Sequence, residues 1–126
     1  IDRNPELEDF TLSYFEKANV SNKIDFRIGN AIDIIPTLKE TFDLVFIDAD
    51  KTNYSNYFDL VIDKLPKGAY IITDNVLWSG KVVQEIEERD METKAIVGYN
   101  KKIHNDPRVE NILFPIRDGL MIARKL

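Results

Sequence analysis

The stretch Phe42-Asp43-Leu44-Val45-Phe46-Ile47, running straight into Asp48-Ala49-Asp50-Lys51, decides the fold. Its first six positions are almost unbroken apolar, the pattern of a strand covered on both faces in a parallel sheet, and the run then stops in acids. A second such run, Ala69-Tyr70-Ile71-Ile72-Thr73, stops as sharply in Asp74-Asn75. Between them, Tyr54 to Leu65 reads as a helix closed by Pro66-Lys67-Gly68. Strand, helix, strand with both strands buried is a right-handed crossover unit, so an α/β fold with a mostly parallel sheet is predicted.

Working outward, Asn4-Pro5-Glu6 is a helix start: Asn caps free N–H groups, Pro suits the first helical position, and Glu6 and Glu8 complement the positive end of the dipole. The recurrence of Leu7, Phe10, Leu12, Tyr14, Phe15 and Ala18 predicts a helix over about 5–19. Lys23 to Ile28 alternates polar with apolar and predicts a strand ended by Gly29-Asn30; 31–38 follows as a short helical piece with Pro36 in a first turn or at a kink. Downstream, Thr93 to Asn105 reads as a helix stopped by Asp106-Pro107. Val109 to Ile116 and Leu120 to Arg124 read as strands joined by a tight turn at Arg117-Asp118-Gly119, an antiparallel hairpin at the sheet's end. The opening at Ile1, with no initiator Met and no lead-in strand, reads as a cut beginning.

With 126 residues, 44% of them hydrophobic, one domain is the expectation. Acidic residues number 22 against 17 basic, and the basic ones are scattered, so a nucleic-acid backbone is not the expected partner. Cysteine is absent, which excludes disulfides and thiolate chemistry and fits the cytoplasm. No apolar run approaches the roughly 18 residues that span a bilayer, so no membrane partner is expected.

The chemistry is expected where parallel strands end, because ligands of open α/β sheets gather there. Asp48 and Asp50 alternate along an extended exit, and Asp74 and Asn75 arrive at the same level from the next strand, offering hard oxygen donors suited to Mg²⁺, Ca²⁺ or Mn²⁺. The competing structural reading is that each acid caps a following helix or begins a turn. Lys51 beside them is either a proton acceptor or a partner balancing the carboxylates. Trp78, in a polar loop, reads as a lid or stacking residue or as a side chain folded back on the core. His104, late in a polar helix, reads as solvated.

Three blocks, FDLVFIDADKTNY (42–54), GAYIITDNVLWSGKVV (68–83) and NDPRVENILFPIRDGLMIARK (105–125), resemble those of the caffeoyl-CoA O-methyltransferase-like family, also called O-methyltransferase family 3. The resemblance implies the C-terminal part of a bacterial S-adenosylmethionine-dependent O-methyltransferase with an incomplete Rossmann-like fold. It implies that Asp48, Asp74 and Asn75 hold a divalent cation, which binds two vicinal oxygens of a small, catechol-like hydroxylated acceptor. It further implies Lys51 as general base, Trp78 on the acceptor side, Asp2 at the cofactor ribose, the Ala31 backbone by the adenine and Asp50 near the methionine part. A homodimer is also implied. The family's first strand and its glycine-rich turn have no counterpart here, since none of the five glycines forms such a cluster.

Two other readings compete. Asp48-x-Asp50 at the end of an apolar strand also suits the metal clamp of a nucleotide-sugar glycosyltransferase, and the chain could be an inert, self-associating fragment. The family topology implies a first strand beside Phe42–Ile47; its absence would leave an apolar edge, which predicts an intertwined or edge-paired dimer, or a shift of the Lys23–Ile28 strand into that place.

Overall fold

The computed structural model describes residues 1–126, which divide into two compact units, 1–38 and 39–126.

In the first unit, Asn4 caps a 3₁₀ turn at Pro5–Leu7 by accepting from the Glu6 N–H at 3.0 Å, and helix α1 follows at Glu8–Lys17. The helix predicted over 5–19 is therefore present, with its first turn tightened to 3₁₀. The strand predicted over Lys23–Ile28 does not form: Ser21–Lys23 is a 3₁₀ turn, and the rest makes one isolated parallel bridge, Asp2 with Ile28. Alternation alone does not make a strand, because each ladder needs a neighbour of matching length. Helix α2, Ala31–Ile34, is capped by Asn30 and runs into a 3₁₀ turn at Ile35–Thr37 that accommodates Pro36.

The second unit is a two-layer arrangement. Strands β1 (Leu44–Ile47), β2 (Tyr70–Thr73), β3 (Val109–Phe114) and β4 (Leu120–Lys125) form one mixed sheet in the order β1-β2-β4-β3. The β1–β2 pair is parallel, and the β2–β4 and β3–β4 pairs are antiparallel. The predicted C-terminal hairpin is present. Helices α3 (Tyr54–Ile62) and α4 (Met91–Asn105) form the second layer. Tyr54, Tyr57, Phe58, Val61 and Ile62 of α3 recur at helical spacing and are all buried; Thr93, Ile96, Tyr99 and Ile103 do the same for α4. They share the core with Ile47, Ile71, Thr73, Met121 and Ala123, which the strand register places on one sheet face. The Tyr54 and Tyr99 rings meet edge to face at 5.6 Å, and Lys125 Nζ donates to the Ile62 and Leu65 carbonyls at the end of α3.

On the other sheet face, Leu44 is 56% and Phe46 55% exposed, and Tyr70 and Ile112 on the same face are exposed as well. Within this sheet β1 pairs with β2 alone. No helix is long and apolar enough to cross a membrane.

The hairpin turn is fixed by close approach. Gly119 has φ +84, and a Cβ there would lie 2.5 Å from Leu77 Cγ and 3.1 Å from the Leu77 backbone nitrogen. Gly119→Ala is therefore expected to cost about 2 kcal/mol or more, combining left-handed strain with a steric clash, which urea unfolding monitored by circular dichroism would measure.

Candidate functional site

The parallel strands β1 and β2 end level with each other: Ile47 pairs with Thr73, and the Asp74 N–H donates to the Ile47 carbonyl at 3.0 Å. The residues that follow each strand, Asp48 and Asp74-Asn75, therefore emerge at one edge of the sheet. β4 runs the opposite way, with Thr73 paired to Met121, so the Arg117-Asp118-Gly119 turn comes to the same edge. That turn is tied to the loop after β2 by three hydrogen bonds. Val76 N–H donates to the Gly119 carbonyl at 3.1 Å, Leu77 N–H to the Asp118 carbonyl at 2.9 Å, and Ser79 N–H to Asp118 Oδ1 at 2.5 Å. Asn100 on α4 adds a fourth tie, donating to the Val76 carbonyl at 2.8 Å.

Lys51 is the hub. It is only 8% exposed, and its Nζ donates to Asp48 Oδ1 at 3.2 Å, Asn75 Oδ1 at 2.9 Å and the Tyr54 hydroxyl at 2.5 Å. An ammonium has three N–H donors, and all three are engaged. The same nitrogen lies 4.8 Å from the Tyr54 ring centroid and 5.6 Å from that of Trp78. Tyr54, fully buried, donates its own hydroxyl to the Asp74 carbonyl at 3.0 Å. Burial, then the charges of Asp48 and Asp74, push its hydroxyl far above the ordinary tyrosine range, so it stays protonated. Burial does the same for Tyr99, whose hydroxyl meets Thr73 Oγ1 at 2.5 Å.

Asp74 is 4% exposed; its Oδ1 accepts from the Asn75 N–H at 2.8 Å and its Oδ2 from Arg117. Several backbone positions here are left-handed without being glycine: Asn75 (φ 60), Trp78 (φ 48), Ser79 (φ 53) and Arg117 (φ 53). Such conformations cost on the order of 1–3 kcal/mol each and gather where surrounding structure holds side chains for a purpose.

The sequence-derived candidates thus divide. Asp48 and Asn75 share one cationic atom, and Asp74 is the neighbour of Asn75. No three acidic, histidine or cysteine side chains gather around one point; the donor set is two carboxylates and one carboxamide. That set suits a hard cation, and the convergence of Asp48 and Asn75 on an ammonium marks a place where positive charge is stabilised. Asp50 turns the other way: Oδ1 accepts from the Tyr57 hydroxyl at 2.5 Å and Oδ2 from Asn53, tying it to the start of α3. Both Asp50 oxygens are engaged by the start of α3, so the glycosyltransferase reading is not favoured. Trp78 is half-buried, beside Lys51, in a kinked 3₁₀ segment. His104 is exposed as expected.

In the first unit, Asp2 Oδ1 accepts from the Asn4 N–H at 2.8 Å, and the Gly29 N–H donates to the Asp2 carbonyl at 2.8 Å. Asp2 therefore lies against the Gly29-Asn30-Ala31 turn, and Ala31 opens α2.

Two residues of the site are not among the sequence-derived candidates. Tyr54 stands three residues after Lys51, a spacing that faces it on a helical turn, and that was the available signal. Arg117 carries a weaker one, a charge in a hairpin turn that topology brings to the strand ends.

The sequence model of the O-methyltransferase family matches residues 1–126. The chain is 38% identical over 137 residues to tricin synthase 2 of Oryza sativa subsp. japonica, covering 100% of this chain and 47% of that protein. It is 37% identical over 141 residues to caffeoyl-CoA O-methyltransferase of Petroselinum crispum, covering 100% and 57%. It thus spans about half the length of these curated relatives. Among solved structures it is similar to cofactor-bound Rv0187 from MTB (TM-score 0.90, 28% identity, 98% of this chain and 59% of that one). It is also similar to the O-methyltransferase from Bacillus cereus in complex with SAH (TM-score 0.86, 28% identity, 98% and 60%). The block resemblance is borne out over the whole chain, which belongs to O-methyltransferase family 3, the family of the caffeoyl-CoA O-methyltransferases.

Proposed function

We propose that residues 1–126 are the C-terminal part of a single methyltransferase domain. The whole enzyme transfers a methyl group from S-adenosylmethionine to a hydroxyl of a catechol-like or other small hydroxylated acceptor, with a divalent cation, Mg²⁺ first and Ca²⁺ or Mn²⁺ as alternatives. The observation that carries the reading is the convergence of Asp48 Oδ1 and Asn75 Oδ1 on one cationic atom, with the buried Asp74 beside them. Family membership supports methyl transfer to oxygen, the SAH-bound Bacillus cereus relative supports the donor, and the caffeoyl-CoA relative supports a small phenolic acceptor.

Asp48, Asp74 and Asn75 would hold the cation. Bound there, it would supply Lewis-acid polarisation of an acceptor hydroxyl and fix its orientation. Lys51 is the group placed to take up the hydroxyl proton, after its ammonium has given one proton to bulk solvent, and its hydrogen bond to Tyr54 keeps it at the site. Trp78 borders the acceptor side and excludes water from it. Asp2 takes the ribose and the Ala31 backbone the adenine, while Asp50, held by α3, lies toward the methionine end. The reading extends to a cytoplasmic homodimer, in line with what the family resemblance implies and with a cysteine-free sequence.

The test is transfer of labelled methyl from S-adenosylmethionine to a panel of vicinal dihydroxyarenes, before and after chelation and with Mg²⁺ restored. Transfer lost on chelation and recovered with Mg²⁺ is the expected outcome. Transfer indifferent to chelator would remove the cation, and no transfer to any hydroxylated acceptor would remove the reading altogether.

A further inference from the structure

Asp74 is nearly without water, and a carboxylate so placed needs a cation or strong donors beside it. Arg117 supplies the cation, though burial does not hold it there: its side chain is 66% exposed. What aims it is the backbone. Arg117 stands at φ 53, a left-handed conformation that an L residue adopts only under strain. Its turn is pinned against the loop after β2 by the bonds from Val76, Leu77 and Ser79. The turn therefore presents this side chain to the carboxylate at a conformational cost. Lys51 performs the matching service for Asp48 and Asn75, but it is buried and held by three hydrogen bonds. Of the two cations at the site, the guanidinium is the one that can swing out to water.

We propose that Arg117 is a tethered competitor for the divalent cation. It neutralises Asp74 while the site holds no cation and must release Asp74 before a cation can take that carboxylate. This rests on the reading of Asp48, Asp74 and Asn75 as cation ligands. The competition lowers the affinity of the site by whatever the Arg117–Asp74 pair contributes, and it spares the buried carboxylate from standing uncompensated when the cation leaves. Loading then follows the free cation concentration and remains readily reversible.

The experiment is titration of the chelator-washed protein with Mn²⁺, following free Mn²⁺ by electron paramagnetic resonance, for the wild type and for Arg117→Gln, Arg117→Gly and Arg117→Lys. Gln removes the charge at similar size, Gly removes it while relieving the left-handed strain, and Lys keeps the charge. Gln and Gly are expected to tighten Mn²⁺ binding at least about tenfold, equivalent to ~1.4 kcal/mol, with Lys staying near the wild type. Wild-type binding with no gain in Gln or Gly would overturn the competitor role and leave the cation site standing, as would an equal gain in Lys. No Mn²⁺ binding by any of the four proteins would instead overturn the cation site, and this inference with it.

Discussion

Asp48→Ala and Asp74→Ala are each expected to abolish cation-stimulated methyl transfer in the whole enzyme while leaving cofactor affinity within about tenfold, an allowance of roughly 1.4 kcal/mol. The large effect on turnover comes from losing one of three donors that hold a cation against the acceptor. The small effect on cofactor affinity comes from the division of labour proposed above, in which neither side chain touches the donor molecule. Asp74→Ala also frees Arg117, which is largely exposed and passes into water without an unpaired buried charge remaining. Asp74→Asn separates the roles further, since it can still accept from the Asn75 N–H and keep that left-handed residue in place. Initial rates with chelator-washed protein across a Mg²⁺ series, beside calorimetry with S-adenosylhomocysteine, provide the check. Unchanged turnover in either alanine variant would sink the assignment.

Lys51→Met is expected to lower turnover by about 10²- to 10⁴-fold, the usual contribution of a positioned base, with little change in cofactor binding. Met keeps much of the stem's volume between Tyr54 and Trp78 but none of the three hydrogen bonds. Asp48 is half-exposed and can turn to solvent, so a melting curve near the wild type is the companion expectation. Rates should be followed across pH, because a cation alone can favour loss of a proton from an acidic catechol and so mask the base at high pH. A loss below about threefold would leave Lys51 as charge balance only.

The clustering of Asp48 with Asp74 and Asn75 is legible in the sequence because crossover topology forces the ends of β1 and β2 to one level. An acid after each apolar run must then emerge at the same edge. Asp50 illustrates the limit of that logic: extended alternation aims it with Asp48, but the turn into α3 brings Tyr57 and Asn53 around its carboxylate instead. Arg117 is harder to read, because its partner Asp74 lies 43 residues away and only the β2–β4 register brings the two together. The Lys23–Ile28 alternation misleads for a related reason, since local periodicity carries no information about whether a ladder partner exists.

The strand order carries a further consequence for how the protein is made. β4 lies between β2 and β3 and is their shared neighbour, yet it is the last of the four strands to be synthesised. Until it leaves the ribosome, β2 shows the nascent chain's surroundings an open edge and β3 has nothing to pair with, the state most prone to association with other chains. A ribosome stalled just before Leu120 would hold a polypeptide carrying Asp48, Asp74, Asn75 and Arg117 but lacking the strand that sets the register between the last of these and the rest.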